Sequence, residues 1–75
     1  MRAVDLALAS DWENAHQIVQ KYEGDPLACW LHAVLHKIEG DESNSRYWYR
    51  RSSQAFEAYR EPIAELGAIK AALGY

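Results

Sequence analysis

The fold class is decided by residues 25–40, DPLACWLHAVLHKIEG. Asp25 offers a side-chain oxygen as an N-cap, and Pro26 suits the first helical turn because its missing N–H costs nothing there. Apolar side chains then recur at helical spacing over an arc of roughly 140° and predict a buried stripe. The stripe consists of Leu27, Trp30, Leu31, Val34, Leu35 and Ile38. Gly40 ends the predicted helix.

Two helical segments precede this stretch. The first covers residues 1–9, and the second is predicted over residues 12–23 with Ser10 or Asp11 as its N-cap. Gly24 is placed to close the second helix in a left-handed C-cap. The predicted buried face of the second helix contains Ala15, Ile18, Val19 and Tyr22, with Trp12 at its edge.

Two more helices follow. One is predicted over residues 42–52, and the last starts near Glu61 or Pro62 and ends before Gly74. The buried stripe predicted for the last helix contains Ile63, Leu66, Ile69 and Leu73. For residues 53–60 we expect a short helical turn or a kinked extension of the last helix. A continuous helix is not expected, because the residue before Pro62 avoids the helical region.

No segment alternates apolar and polar residues, so a sheet is not expected. The sequence therefore predicts an all-α protein in which residues 1–75 form a single domain. Its four to five short helices are expected to pack as antiparallel hairpins, in a repeat-like array or small bundle.

Composition excludes several classes of protein. The chain has 75 residues, 49% of them hydrophobic, and a net charge of −3, which is typical of a soluble globular domain. A net-acidic domain does not match the electrostatics of a nucleic-acid binder. One cysteine cannot form an intrachain disulfide, and Asp5 and Asp11 interrupt any signal peptide or membrane span near the start. We therefore expect a cytoplasmic protein that binds neither nucleic acid nor membrane.

The second and fourth predicted helices begin with a similar sequence pattern. Asp11, Asn14 and Ala15 recur thirty positions later as Asp41, Asn44 and Ser45. The small residue in each copy lets two helices approach closely.

Residues 31–49 follow the pattern L-x-x-V-L-x-x-I-x-G-D-x-x-N-S-x-x-W-Y. Over residues 11–52, the chain resembles the tetratricopeptide and Sel1-like helical repeats. Its repeat is shorter than the usual 34 residues or so, and the family's glycine in the first helix is absent. This resemblance implies protein–protein binding on a helical surface. The pattern H-x-x-x-H-x-x-E-G-D, followed by Y-W-Y-R-R, is also similar to one in short bacterial proteins of unassigned function.

A stripe of possible metal ligands runs along the central helix opposite its apolar arc. Cys29, His32 and His36 share this face, and His16 on the second helix is the expected cross-helix donor. These side chains offer the nitrogen and sulfur ligands that zinc accepts. Alternatively, the histidines are packing residues with hydrogen-bonded rings. Because a free cysteine is usually buried, this face is expected to be covered, which favours a second interface over a metal.

The segment RYWYRR, residues 46–51, is the most concentrated cluster of arginine and aromatic residues. Arg46, Tyr47, Arg50 and Arg51 are expected to face outward and form a partner-binding surface, because exposed Tyr and Arg dominate interface energetics. Alternatively, the arginines pair with nearby glutamates on a solvated face.

No phosphate-binding loop, nucleophile elbow or catalytic set is present, so an enzyme is not expected. Trp12, Trp30 and Trp48 are interpreted as core residues rather than a ligand cage. The sequence thus predicts a protein–protein interaction module that self-associates, most simply as a dimer. The alternative is a metal-binding or small-ligand-binding protein with zinc as the candidate ion.

Overall fold

The computed structural model describes residues 2–74, which fold into five α-helices and one 3-10 turn with no strand among them. The helices are α1 (Ala3–Leu8), α2 (Trp12–Val19), α3 (Pro26–Glu39), α4 (Glu42–Ser52) and α5 (Pro62–Ala72). The 3-10 turn (Phe56–Ala58) lies between α4 and α5. The prediction of an all-α chain is confirmed, as is the short helical turn expected between residues 53 and 60.

Helix α3 is the centre of the fold. Residues 28–36 are all buried, because the other four helices all pack against α3. Of the predicted apolar arc, Trp30, Leu31, Val34 and Leu35 are buried as expected. Ile38 was predicted wrongly, since its side chain is 44% exposed near the end of the helix. A helix that is covered on all sides buries its polar face as well as its apolar face.

The ends of α3 follow its local signals. The Asp25 carboxylate accepts a hydrogen bond from the Leu27 N–H at 3.0 Å, and Gly40 adopts a left-handed conformation with φ 84°. The Asp41 N–H donates to the His36 carbonyl at 2.9 Å, and the Gly40 N–H donates to the Lys37 carbonyl at 3.1 Å. These two bonds form a Schellman motif, which fixes the turn into α4.

The caps of α2 and α4 share one geometry. Asp11 and Asp41 each accept a backbone and a side-chain hydrogen bond from the asparagine three residues later. The small residues that follow, Ala15 and Ser45, are both fully buried, and the Ser45 hydroxyl donates to the Ala33 carbonyl at 2.7 Å. The repeated sequence pattern therefore corresponds to two similarly capped helices that both pack on α3.

Helix α2 differs from its prediction. It ends at Val19 rather than Glu23, and Gly24 does not adopt a left-handed conformation. Residues 20–25 form turns instead, and Tyr22, predicted to be buried, is 50% exposed. The Asp25 N–H donates to the Tyr22 carbonyl at 2.9 Å, which turns the chain back toward α3 before a longer helix can form.

Helix α5 has the predicted bounds but a different buried face. Leu66 and Ile69 are fully buried as expected, whereas Ile63 is 63% exposed. Glu65, which was not predicted to be buried, is fully buried instead of Ile63. Within residues 2–74, no helix has the length and hydropathy needed to cross a bilayer.

A three-histidine cluster as candidate metal centre

Three histidines from two helices converge between α2 and α3. One ring nitrogen each of His16, His32 and His36 lies within 4.8 Å of the other two. The closest pair is His16 Nε2 and His32 Nε2, at 3.1 Å. His32 and His36 are one turn apart on α3, so their rings stack with centroids 5.0 Å apart, and the His16 ring stands edge-on to both. The structure thus brings together three of the four residues that the sequence grouped as metal ligands.

Cys29 lies outside this cluster. Its thiol is buried and donates a hydrogen bond to the Glu23 carbonyl at 3.1 Å, in the turn before α3. The Arg51 guanidinium donates to the same carbonyl at 3.4 Å. The expectation that Cys29 joins the histidines is therefore corrected by the direction of its side chain.

Two tryptophans form the walls of the cluster. The Trp12 ring stacks on His16 with centroids 4.6 Å apart, and its indole N–H donates to the Leu35 carbonyl at 2.6 Å. On the opposite side, the Trp48 ring stacks on His32 at 3.9 Å with an angle of 13° between the planes. Trp30 is in the core, but Trp12 and Trp48 are half-buried and contact the candidate site directly. The sequence interpretation of all three as core residues missed this role.

Burial lowers the pKa of two of the three histidines, His32 and His16. Desolvation is the main cause that lowers the pKa of His32 to about 4, with smaller contributions from His16 and His36. Burial is also the main cause that lowers the pKa of His16, with a smaller contribution from the neighbouring His36. Neutral imidazoles carry the lone pairs that bind metals.

One polar atom in the cluster has no protein partner. His32 is 3% exposed, and its Nδ1 makes no hydrogen bond within the described chain. Buried polar atoms are nearly always paired, so this nitrogen stands out among the side chains that the structure describes. The expectation that His32 and His36 face an interface with another molecule is corrected, because α2 and α4 of the same chain cover them.

The predicted partner-binding surface divides into two parts. Arg46 is half-buried and ion-paired, with Glu42 at 2.8 Å and Glu57 at 2.6 Å, as the solvated-face alternative expected. Tyr47 is 44% exposed, and Arg50 and Arg51 are also exposed. The Arg51 guanidinium lies over the rings of Tyr47 and Trp48, at 5.8 and 5.3 Å from their centroids. The exposed part of this surface thus adjoins the outer wall of the histidine cluster.

A second polar cluster lies in the core and was missed by the sequence analysis. One carboxylate oxygen of Glu65 accepts from Trp30 Nε1 at 2.8 Å and from the Tyr49 hydroxyl at 2.6 Å. Its other oxygen accepts from Lys37 Nζ at 2.9 Å. Glu65 lies four residues before Ile69, and this spacing was the available signal that the two share a buried face.

Lys37 completes that core cluster. Its ammonium group also donates to the carbonyls of Phe56 and Tyr59, at 2.9 and 3.1 Å. Burial and the hydrogen bond to Glu65 raise the pKa of Tyr49 far above its usual value. Each charged group here is paired, so the cluster acts as a structural tie between α3, α4 and α5.

Comparison with known proteins identifies no relative of this chain. No protein-family model, no curated protein and no solved structure matches the chain.

Proposed function

We propose that the chain binds a divalent transition-metal ion, with zinc as the leading candidate, through His16, His32 and His36. The observation that carries this proposal is the convergence of three imidazole nitrogens within 4.8 Å of one another, from two helices. The lowered pKa values of His16 and His32 keep both rings available as ligands at neutral pH.

The distances suit zinc. Zn–N bonds of about 2.0–2.1 Å in a tetrahedron place two ligand nitrogens about 3.3 Å apart. The 3.1 Å separation of His16 Nε2 and His32 Nε2 is close to that value. The third ligand nitrogen, on His36, lies within 4.8 Å of the other two. Imidazole ligands also bind copper and nickel, whereas magnesium and calcium prefer oxygen.

Three protein ligands leave one coordination position for a water molecule. We propose binding rather than catalysis at this position. The neighbouring cleft of about 270 Å³, which Trp12 and Leu35 line, is apolar and has no histidine in its walls. A substrate bound in that cleft would contact none of the three proposed metal ligands.

Equilibrium dialysis against zinc tests the proposal. The wild-type chain is expected to take up one ion per chain, and His32→Ala is expected to lose at least 100-fold in affinity. Cys29→Ser is the matched control and should bind like the wild type, because its side chain lies outside the cluster. Absence of uptake by the wild type, or equal uptake by His32→Ala, would reject the site.

We propose, as a second candidate function, self-association through the surface of Tyr47, Arg50 and Arg51. The 44% exposure of Tyr47 beneath the Arg51 guanidinium supports it, because ordered Tyr and Arg side chains are common interface anchors. The resemblance of residues 11–52 to protein-binding helical repeats agrees with this candidate. The proposed partner is a second copy of the chain, forming a homodimer.

Sedimentation equilibrium tests the homodimer. Arg50→Glu is expected to weaken association at least tenfold while the helical circular-dichroism signal is unchanged. Lys21→Glu, which reverses an exposed charge after α2, serves as the control and should associate like the wild type. A wild-type chain that stays monomeric at all concentrations would remove this candidate.

A further inference from the structure

We propose that Glu39 is a positioning residue of the metal site, which holds His36 in the tautomer protonated at Nδ1 and leaves Nε2 to bind the metal. This inference rests on the proposed metal-binding function. It names the residue that prepares one of the three ligands before the ion arrives.

The contact between the two side chains fixes the position of the proton. Glu39 Oε1 lies 2.5 Å from His36 Nδ1. An ionised carboxylate has no hydrogen to donate, so the imidazole must donate from Nδ1. In a neutral imidazole with a proton on Nδ1, the lone pair is on Nε2. His36 can then offer Nε2 and no other atom to a metal.

The backbone holds Glu39 in place for this task. It is the last residue of α3, three positions after His36, so both side chains lie on the same face. The left-handed Gly40 and the hydrogen bond from the Asp41 N–H to the His36 carbonyl fix the chain directly after it. The carboxylate is therefore held where the helix ends.

Asp41 is the other carboxylate near His36, and it has a different task. Its two oxygens accept hydrogen bonds from Asn44, one from the backbone N–H at 3.3 Å and one from the side-chain amide at 2.8 Å. These bonds are the main cause that lowers the pKa of Asp41. Because Asp41 caps α4, Glu39 is the carboxylate that orients His36.

The arrangement matches what metal-bound histidines need. A ligating histidine usually donates its other ring N–H to a carboxylate, which sets the ring orientation and raises the basicity of the ligand nitrogen. The side chains of His36 and Glu39 are 10% and 39% exposed, so this bond is partly shielded from water. The negative charge of Glu39 would also offset part of the charge of a divalent ion.

The first arm of the test needs no metal. Nitrogen-15 NMR of the histidine rings in the metal-free chain is expected to show His36 protonated at Nδ1, and Glu39→Ala should shift His36 toward the Nε2-protonated tautomer. A role in packing alone would not move this signal. His36 protonated at Nε2 in the wild type would overturn the proposal.

The second arm measures zinc affinity by dialysis. Glu39→Ala is expected to bind zinc about 10–100-fold more weakly than the wild type. Glu42→Ala is the control, because Glu42 pairs with Arg46 and should leave the affinity unchanged. Equal affinity of Glu39→Ala and wild type would overturn the role of Glu39 while leaving the metal site intact. A wild type that takes up no zinc would instead reject the metal site, whatever the tautomer of His36.

Discussion

Glu65 organises the polar cluster that joins α3, α4 and α5. Its carboxylate is fully buried and is satisfied there by three hydrogen bonds, which it accepts from Trp30, Lys37 and Tyr49. Removing one partner from a buried charge pair costs far more than the pair contributes, because the remaining charge is left without compensation. The stability of the chain should therefore depend on this one side chain.

We predict that Glu65→Ala lowers the free energy of unfolding by about 3–5 kcal/mol, since it leaves the Lys37 ammonium buried without its carboxylate. Glu65→Gln keeps an acceptor for Tyr49 and Trp30, and its loss should be smaller. Urea unfolding followed by circular dichroism measures both. Glu61→Ala, at an exposed position before α5, should change the value by no more than about 0.5 kcal/mol. Similar midpoints for Glu65→Ala and Glu61→Ala would show that the core cluster is not a structural tie.

The spacing of Glu65 and Ile69 was too weak a signal to identify Glu65 as a core residue from the sequence. The stripe of α5 taken alone favours Ile63, which is exposed, because an apolar side chain is normally the better candidate for burial. Burial of the carboxylate depends on Lys37, Trp30 and Tyr49, which lie 16 to 35 residues away along the chain. Such partners are visible only once the helices are assembled.

At the scale of elements, the sequence predicted best where end signals are local. The proline, glycine and aspartate residues near the ends of α3, α4 and α5 predicted the first and last residues of these helices closely. Helix α2 has no such stop signal at Val19, and its early end depends on the turn that leads into α3. Once it ends there, α2 is held on α3 by His16 and Trp12.

We predict that acid weakens this attachment of α2 to α3 in the metal-free chain. The pKa of His32 is about 4 in the folded chain, against 6.5 as its ordinary value. Between these values the unfolded chain binds the proton more strongly, so stability is highest above about pH 6.5 and falls as the pH decreases toward 4. The loss attributable to His32 reaches about 3 kcal/mol.

Urea unfolding at pH 7 and pH 4.5 measures this effect. The His32→Asn variant is the control, because it removes the titrating ring while the carboxylates stay the same. The wild type should lose more stability between the two pH values than the variant does. An equal loss in both proteins would assign the pH dependence to other groups.

At the scale of the whole molecule, the helices place three histidines from separate parts of the chain around one point. The sequence indicated this set in part: the spacing of His32 and His36 put both on one face, and His16 was the expected donor from α2. Cys29 was grouped with them by its position on the helix. Spacing alone does not show that its side chain turns toward Glu23. The tryptophan walls were missed because stacking across helices depends on how α2 and α4 pack on α3.

The most direct test of the proposed metal centre is a crystal structure of the zinc-soaked chain with anomalous data collected at the zinc edge. We predict one ion among His16, His32 and His36, with three Zn–N bonds of about 2.0–2.1 Å and a water in the fourth position. His36 should bind through Nε2 and keep its contact to Glu39. Failure to find an ion among the three rings, or zinc held by Cys29 or surface carboxylates instead, would contradict the account.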